Sequence, residues 1–240
     1  MIHRVRLAGV AVVLLLVSAS VVRAQAPDTT SATHTAARPG RGSVGGQIGT
    51  SYFYAQGDYS LGASPRLSFA GHFRYLMGTK WQWQVSPYYT WTGYSVGTKA
   101  PFADPNYPAE TDKDEHLTQI TGASGQLHRI FGGGRTRWHA GGGPAIYMVW
   151  VENHRKVLAD PVTNERHKGT YFGASAEVGA ERFLKSLENT SLEMTLAYQL
   201  AVSKDAEKFP SGYNLNVNAL EIRFGAHYYF DFKMPKAATK

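Results

Sequence analysis

The sequence contains no cysteine. That absence excludes a disulfide-stabilised scaffold, a zinc site built from thiolates and a cysteine nucleophile. Long apolar runs are also scarce, since the single extended one covers residues 7–22, and a hydrophobic content of 43% is too low for a bundle of membrane helices. The chain is instead rich in glycine (25), tyrosine (14) and phenylalanine (11), which favours closely packed, twisted strands.

The amino terminus has the three parts of a secretory signal peptide. Arg4 and Arg6 form its positive region, residues 7–22 its apolar region, and the sequence A-Q-A at 24–26 its cleavage site. An uncleaved anchoring helix is the alternative, but the apolar run is short for a membrane span of about 20 residues. We expect residues 1–26 to be removed. With three arginines and no acidic residue lost, the net charge falls from +7 to +4.

The segment after the cleavage site and the distribution of basic residues give two further predictions. Residues 27–42 are rich in Thr, Ala, Pro and Gly without an apolar period, which predicts a flexible leader. The basic residues are scattered between strands and loops, so we expect no nucleic-acid partner.

From residue 43 to 232, segments of period two alternate with turn signals. The segment 191–202, SLEMTLAYQLAV, puts Leu192, Met194 and Leu196 on one face and Glu193 and Thr195 on the other. Such alternation predicts a β-strand whose two faces meet different environments. Eight segments of about ten residues or more follow this pattern, enough for each to cross a bilayer at a tilt. The fourth, at 115–130, has the weakest pattern, and its inward face is ambiguous.

The connections between these strands alternate in length. Three are compact, at 77–80, 131–137 and 184–190, and four are longer and more polar, at 55–65, 96–114, 152–168 and 203–212. Eight antiparallel strands give this arrangement when both termini lie on the short-turn side. Short turns on one side and long loops on the other are typical of bacterial transmembrane barrels.

The polar face of the strands carries charges in mid-strand. A soluble barrel would turn this face to water and pack several tryptophans inside, where eight strands leave little room. The opposite arrangement fits better, with large apolar residues facing lipid and small or ion-pairing residues filling a narrow lumen. We therefore predict an all-β fold, an eight-stranded antiparallel transmembrane β-barrel in an up-and-down meander. A soluble periplasmic lipid-binding barrel is the alternative.

Aromatic residues are predicted to form two girdles at the strand ends, as membrane barrels require. The girdle residues are Trp81, Trp83, Trp91, Trp138, Trp150, Tyr228, Phe230 and Phe232.

The last strand, ALEIRFGAHYYFDF, has aromatic residues at alternate positions and ends in Phe232. It resembles the carboxy-terminal strand that barrel-assembly machinery recognises in its clients. Over residues 43–232 the chain resembles the eight-stranded outer-membrane β-barrel family of Gram-negative bacteria, the porin-like or opacity-like small barrels. The resemblance implies location in the outer membrane and contact with the assembly machinery. Residues 233–240, a short tail, depart from the family pattern, because members commonly end on that phenylalanine.

The predicted lumen residues carry both signs of charge: Arg66, His72, Arg74, Glu177, Glu181, Glu193, Glu221 and Arg223. We predict that they form an ion-pair network that plugs the barrel, since buried charges must be paired. A gated ion path is the alternative, but an eight-stranded barrel has room only for its own side chains.

The long loops carry charges of opposite sign. One is acidic over 102–116, and the next carries Arg155, Lys156, Arg166 and Lys168. They are interpreted as solvated loops that pair across the barrel mouth. Alternatively, these four basic residues contact phosphates of the outer-leaflet lipid or lipopolysaccharide, and the acidic loop holds a divalent cation. His116, His154 and His167 lack a tight ligand spacing, so we expect no metal site and no cofactor.

A lipid-modifying enzyme, an acyl hydrolase or acyltransferase, needs a nucleophile beside a base. Ser124 and His128 share a strand face but stand four residues apart, about 13 Å at the rise of a strand, too far to hydrogen-bond. A Ser and a His could still meet across neighbouring strands, so a lipid-modifying enzyme is the alternative function. We predict no catalytic residues and a monomeric, non-enzymatic barrel. Its expected role is structural, surface-interacting or narrow passage of small solutes.

Overall fold

The computed structural model describes residues 37–55, 65–95, 115–153, 156–157, 159, 164, 166, 168–202 and 216–232. The predicted signal peptide 1–26, most of the leader and the tail 233–240 lie outside these residues, as do most of the long connections. The described part of the chain contains no helix long and apolar enough to cross a membrane.

Nine strands make up the described structure. They are β1 (Arg41–Ala55), β2 (Arg66–Leu76), β3 (Trp81–Ser95), β4 (Glu115–Phe131), β5 (Thr136–Asn153), β6 (Lys156–Val157), β7 (Lys168–Phe183), β8 (Thr190–Val202) and β9 (Asn216–Asp231). The short β6 pairs with the last two residues of β5, Glu152 and Asn153. The eight long strands confirm the predicted count.

The eight long strands form one closed antiparallel sheet. Each pairs with the next along the chain, β5 with β7 because β6 stands outside the ring, and β9 pairs with β1 to close it. The seam between β1 and β9 runs from Arg41 opposite Asp231 to Ala55 opposite Val217. The fold is therefore the predicted up-and-down barrel, which has no free sheet edge.

The strand bounds also confirm the alternation of connections. The short turns at one end are 77–80, 132–135 and 184–189. The connections at the other end, which we call the outer end, run over 56–65, 96–114, 154–167 and 203–215. In the short turn after β4, Gly132 and Gly134 have φ of 79° and 71°, values that glycine adopts without a steric penalty.

The start of the barrel differs from the sequence-based boundary. Strand β1 begins at Arg41, two residues before the predicted barrel start at residue 43. Before it, Ala37 is buried against Leu76 and Tyr229, and the Gly40 amide donates to the Leu76 carbonyl oxygen at 2.8 Å. Residues 37–42 therefore belong to the barrel, because a small apolar side chain there covers the short-turn mouth; the prediction of a flexible leader is wrong for them.

Candidate functional site in the barrel lumen

Alternate residues of every long strand point into the lumen, and many of them are charged. Arg74 on β2 donates to Glu193 on β8 at 2.8 Å, and both side chains are fully buried. Two other strands separate β2 from β8 in the ring, so this ion pair crosses the lumen. Arg223 on β9 pairs with Glu177 on β7 at 2.6 Å and spans β8 in the same way.

A third ion pair lies nearer the short turns. Arg137 donates through Nε to Glu181 Oε2 at 2.6 Å, and its Nη2 donates to the Tyr229 hydroxyl. The Tyr229 hydroxyl donates to Glu181 Oε1 at 2.6 Å, and Ser191 also donates to that oxygen. Both Glu181 oxygens therefore have donors, which a buried carboxylate needs.

Side-chain amides connect these pairs into one network. Gln84 accepts from Arg74 Nε at 2.5 Å and donates to Glu177 Oε2 at 3.0 Å. It also donates to Gln126 at 3.2 Å, and Gln126 donates to the Ser175 hydroxyl at 2.7 Å. The central lumen is thus filled from β2 to β7 by mutually bonded side chains.

Histidines surround the Glu193 carboxylate. His139 contacts its Oε1, and His227 Nε2 lies 2.5 Å from its Oε2. His72 contributes Nδ1 at 3.1 Å from Arg74 Nη2, and His128 Nδ1 lies 3.0 Å from His139 Nδ1. All four imidazoles are buried.

Apolar side chains close the lumen at the short-turn mouth. They are Ala37, Leu76, Ile130, Phe183 and Tyr229. The Arg137 guanidinium lies 5.3 Å from the ring centres of both Phe183 and Tyr229, so the ionic layer stacks directly on this closure.

The half of the lumen toward the long connections contains buried aromatic and aliphatic side chains beside small polar ones. The Tyr147 hydroxyl donates to the Gln199 side-chain oxygen at 2.7 Å and lies 3.0 Å from the Ala174 carbonyl oxygen. Its ring meets Tyr88 edge-on at 6.0 Å, and Ile120 and Val149 are buried in the same half. The described lumen is occupied along its length by protein side chains, as the diameter of eight strands allows.

All but one of the predicted lumen residues are buried. His72, Arg74, Glu177, Glu181, Glu193, Glu221 and Arg223 are all buried inside the barrel, and Arg66 is half-buried at the outer end of β2. Glu221 lies 3.6 Å from Arg223 Nε, a longer approach than those of the other ion pairs.

Sequence reasoning missed Arg137, His128, His139 and His227 as members of this network. The alternation of residues along each strand could have identified them. Arg137 and His139 flank the outward-facing Trp138, and His227 lies four residues after Arg223, on the same inward face. A polar residue at an inward position is a network candidate whether or not it carries a permanent charge.

The predicted girdle residues lie at both strand ends. Trp81, Trp83, Trp138, Tyr228 and Phe232 are exposed near the short turns, where Phe230 is half-buried, and Trp91 and Trp150 are half-buried at the opposite end. The Arg129 guanidinium lies 5.9 Å from the Trp81 ring centre, a pairing suited to a headgroup boundary.

At the outer end, polar side chains on the barrel exterior bond to one another. Tyr89 donates to Gln119 at 2.6 Å, Gln119 donates to Glu152, and Trp150 donates to Glu152 Oε1 at 2.6 Å. Polar groups at this height on the outer surface mark the second membrane boundary, since the apolar band ends there.

Between these boundaries the outer surface is apolar. Its exposed residues include Val44, Ile48, Leu67, Phe69, Ile146, Met148, Leu192, Met194, Ile222 and Phe224. A closed sheet that satisfies its backbone internally, buries charges and exposes aliphatic side chains matches lipid rather than water. The chain is a transmembrane β-barrel. The alternative of a soluble lipid-binding barrel is wrong, because its faces would have to be reversed.

The sequence matches no protein-family model and no curated protein. Among solved structures, the barrel is similar to Neisserial surface protein A, with a TM-score of 0.49 and 15% identity, covering 79% of this chain and 97% of that one. It is also similar to Ail, the attachment invasion locus protein of Yersinia pestis, in complex with the heparin analogue sucrose octasulfate (TM-score 0.45, 13% identity, 80% and 99% covered). A major outer membrane protein from Thermus thermophilus gives a TM-score of 0.45 and 14% identity, with 79% and 99% covered.

The two residues weighed for acyl chemistry have other partners. Gln126 donates to the Ser124 hydroxyl at 2.9 Å, and His128 Nε2 contacts the Gln126 carbonyl oxygen at 2.5 Å. Ser124 and His128 therefore both contact the Gln126 side chain and do not contact each other. The imidazole is not placed to take a proton from the Ser124 hydroxyl.

The basic residues predicted to contact lipid phosphates lie at the outer end. Lys156, Arg166 and Lys168 are exposed, and Arg155 falls outside the described residues. Ala159 pairs with Arg166 in an isolated bridge within this connection. Phosphate contact at these residues stays a prediction. Cation binding in the acidic loop also stays a prediction, since nearly all of that loop lies outside the described residues.

Proposed function

We propose that this protein is a closed outer-membrane anchor whose lumen is a structural plug, and that its long connections carry its outward role. The observation behind the proposal is the Arg74–Glu193 pair, which joins β2 to β8 across the lumen with both side chains fully buried. A solute could pass only if this pair separated, leaving two unpaired charges in a low-dielectric interior. Passage of small solutes is therefore the weaker role.

Bilayer conductance tests the closed lumen. The purified mature chain in a planar bilayer should give no steady conductance above that of the lipid, and vesicles carrying it should exclude small sugars. The double variant Arg74→Ala/Glu193→Ala, shown to be folded by heat-dependent gel mobility, should raise ion leakage only slightly, because the Arg223–Glu177 pair and the apolar closure at the short-turn mouth remain. A steady current through the unmodified protein would contradict the proposal.

The outward role can be separated from the anchor by shortening one loop. Replacing residues 101–112 with a short Gly-Ser link leaves every described strand intact. Cells that lack the protein would be complemented with the full or the shortened chain, and envelope integrity and surface attachment compared. Attachment restored only by the full chain would support surface interaction through this loop, whereas integrity restored equally by both would support a structural role.

Three partner predictions belong to this proposal. The exterior binds membrane lipid or lipopolysaccharide, with Lys156, Arg166 and Lys168 placed at the outer end to meet phosphates. The aromatic strand β9 presents the signal for barrel assembly. A monomer is expected because the ring closes on itself through β1 and β9. Cross-linking in native membranes and co-purification with assembly components test the last two.

A further inference from the structure

A cluster of possible metal ligands includes Glu193 of the crossing ion pair. A ring nitrogen from His72, a carboxylate oxygen from Glu193 and a ring nitrogen from His227 all lie within 4.8 Å of one another, and all three side chains are buried. Strands β2, β8 and β9 supply one residue each, so the cluster forms only in the closed barrel. In the described ranges it is the one set of three or more His, Asp or Glu side chains that converge in this way.

Several atoms of the cluster lack a well-aligned hydrogen bond. They are His72 Nε2, both ring nitrogens of His227 and Glu193 Oε2, and each is sealed from solvent. The His227 Nε2 to Glu193 Oε2 approach of 2.5 Å is an ion-pair contact without good hydrogen-bond alignment. Buried polar atoms left in this condition are costly, which makes the cluster a candidate for a bound group.

A glycine makes the space that the cluster occupies. Gly45 on β1 lies opposite His72 on β2 and also opposite His227 on β9. The two imidazole rings meet across it with their centres 5.2 Å apart. A Cβ at Gly45 would lie 2.6 Å from the Ala226 carbonyl oxygen and closer still to His227 Nδ1, so only glycine lets the two rings approach from either side of β1.

We propose that His72, Glu193 and His227 form a buried site for a divalent transition-metal ion, with zinc as the type ion. Two imidazoles and one carboxylate are a ligand set that zinc accepts, whereas magnesium and calcium prefer oxygen ligands alone. Arg74 and His139 hold Glu193 Oε1 and leave Oε2 directed at His227. Such outer partners orient a metal-binding carboxylate.

A divalent ion would change the contacts inside the cluster. The metal would be held between His227, Glu193 Oε2 and His72 Nε2, and coordination through His72 Nε2 puts that ring's proton on Nδ1. The 3.1 Å contact from Arg74 Nη2 to His72 Nδ1 then gives way, while Arg74 keeps Glu193 and Gln84.

Metal content of the folded barrel tests the site. The mature chain would be refolded in detergent with Zn²⁺, or folded first and then exposed to Zn²⁺, and desalted before elemental analysis. About one zinc per chain is expected in at least one regimen. Binding only during refolding would indicate a site sealed by the plug and supports the proposal equally. Co²⁺ in place of Zn²⁺ should give visible absorption bands from nitrogen and oxygen ligands.

Matched variants distinguish this site from histidines in the loops. His72→Gln/His227→Gln should lose bound zinc by at least about tenfold, since even outer-shell changes cost that much in metal affinity. His154→Gln/His167→Gln replaces two histidines of the connection between β5 and β7 and should retain the metal. A heat-dependent mobility shift identifies folded protein for each variant. Equal zinc in the parent and the double variant, or no zinc in either regimen, would overturn the proposal.

Discussion

The inner and outer faces of this barrel use alternate residues of the same strands, yet they follow opposite rules. On β8, Glu193 is 3% exposed inside the lumen, while its neighbour Met194 is 48% exposed on the outside. The outer face needs only apolar side chains that lipid can surround, and many combinations satisfy that need. The inner face needs a specific partner and a specific volume for each side chain, because its charges lie away from water.

That difference predicts where the barrel is most sensitive. Changes on the inner face should act through lost partners or lost space, and changes on the outer face through the cost of charge in lipid. Exposed charges at the rim should matter least. Four sets of substitutions test this order.

The largest effect is expected from Glu193→Leu. Arg74 would remain buried without its carboxylate partner, and the free energy of unfolding should fall by about 3–5 kcal/mol. Urea unfolding in lipid vesicles, followed by tryptophan fluorescence, measures the loss. The double variant Arg74→Met/Glu193→Leu removes both charges and should recover much of it. A double variant as unstable as the sum of the two single changes would show that the pair does not act as a unit.

The next effect is expected from a charge on the lipid face. Ile222 is half exposed on the outside of β9, between Thr50 and Leu196, and Ile222→Arg should cost about 2–4 kcal/mol if the position is near the bilayer midplane. The same unfolding measurement applies, with Ile222→Leu as the control. If the arginine were tolerated as well as leucine, the outer face would not be in lipid.

A pair of adjacent glycines compares the faces directly. At Gly45 an added methyl would meet the Ala226 carbonyl oxygen at 2.6 Å, whereas at Gly46 the nearest atom is 3.9 Å away on the outer surface. Gly45→Ala should therefore cost about 1–3 kcal/mol through overpacking. Gly46→Ala should stay within about 0.5 kcal/mol. Equal midpoints of denaturation for the two variants would show that the lumen tolerates the extra volume.

The smallest effect is expected at the rim. Arg38 and Asp231 form an ion pair at 2.8 Å, but both side chains are more than half exposed. Arg38→Gln should change the unfolding free energy by about 0.2–1 kcal/mol, and the difference should shrink further in high salt. A loss as large as that of Glu193→Leu would mean that the closure at the short-turn mouth depends on this pair.

The ambiguous fourth strand shows why an alternating pattern can fail to identify a face. Ile120 and Ile130 point into the lumen, while Arg129 and Gln119 point outward at the two membrane boundaries. Hydropathy marks the lipid face only within the apolar band. Near the headgroups the outer face accepts polar residues, and near the mouths the lumen accepts apolar ones.

The strands, their alternating faces, the alternation of short and long connections and the apolar outer band were all predictable from the amino-acid sequence, because each follows from local periodicity and turn composition. The pairing of side chains inside the lumen was not. Arg74 meets Glu193 from 119 residues away, and His72 meets His227 across Gly45. These contacts depend on strand register and ring closure, which bring distant residues to one height in the lumen; alternation reveals the face of a residue but not its height or its partner.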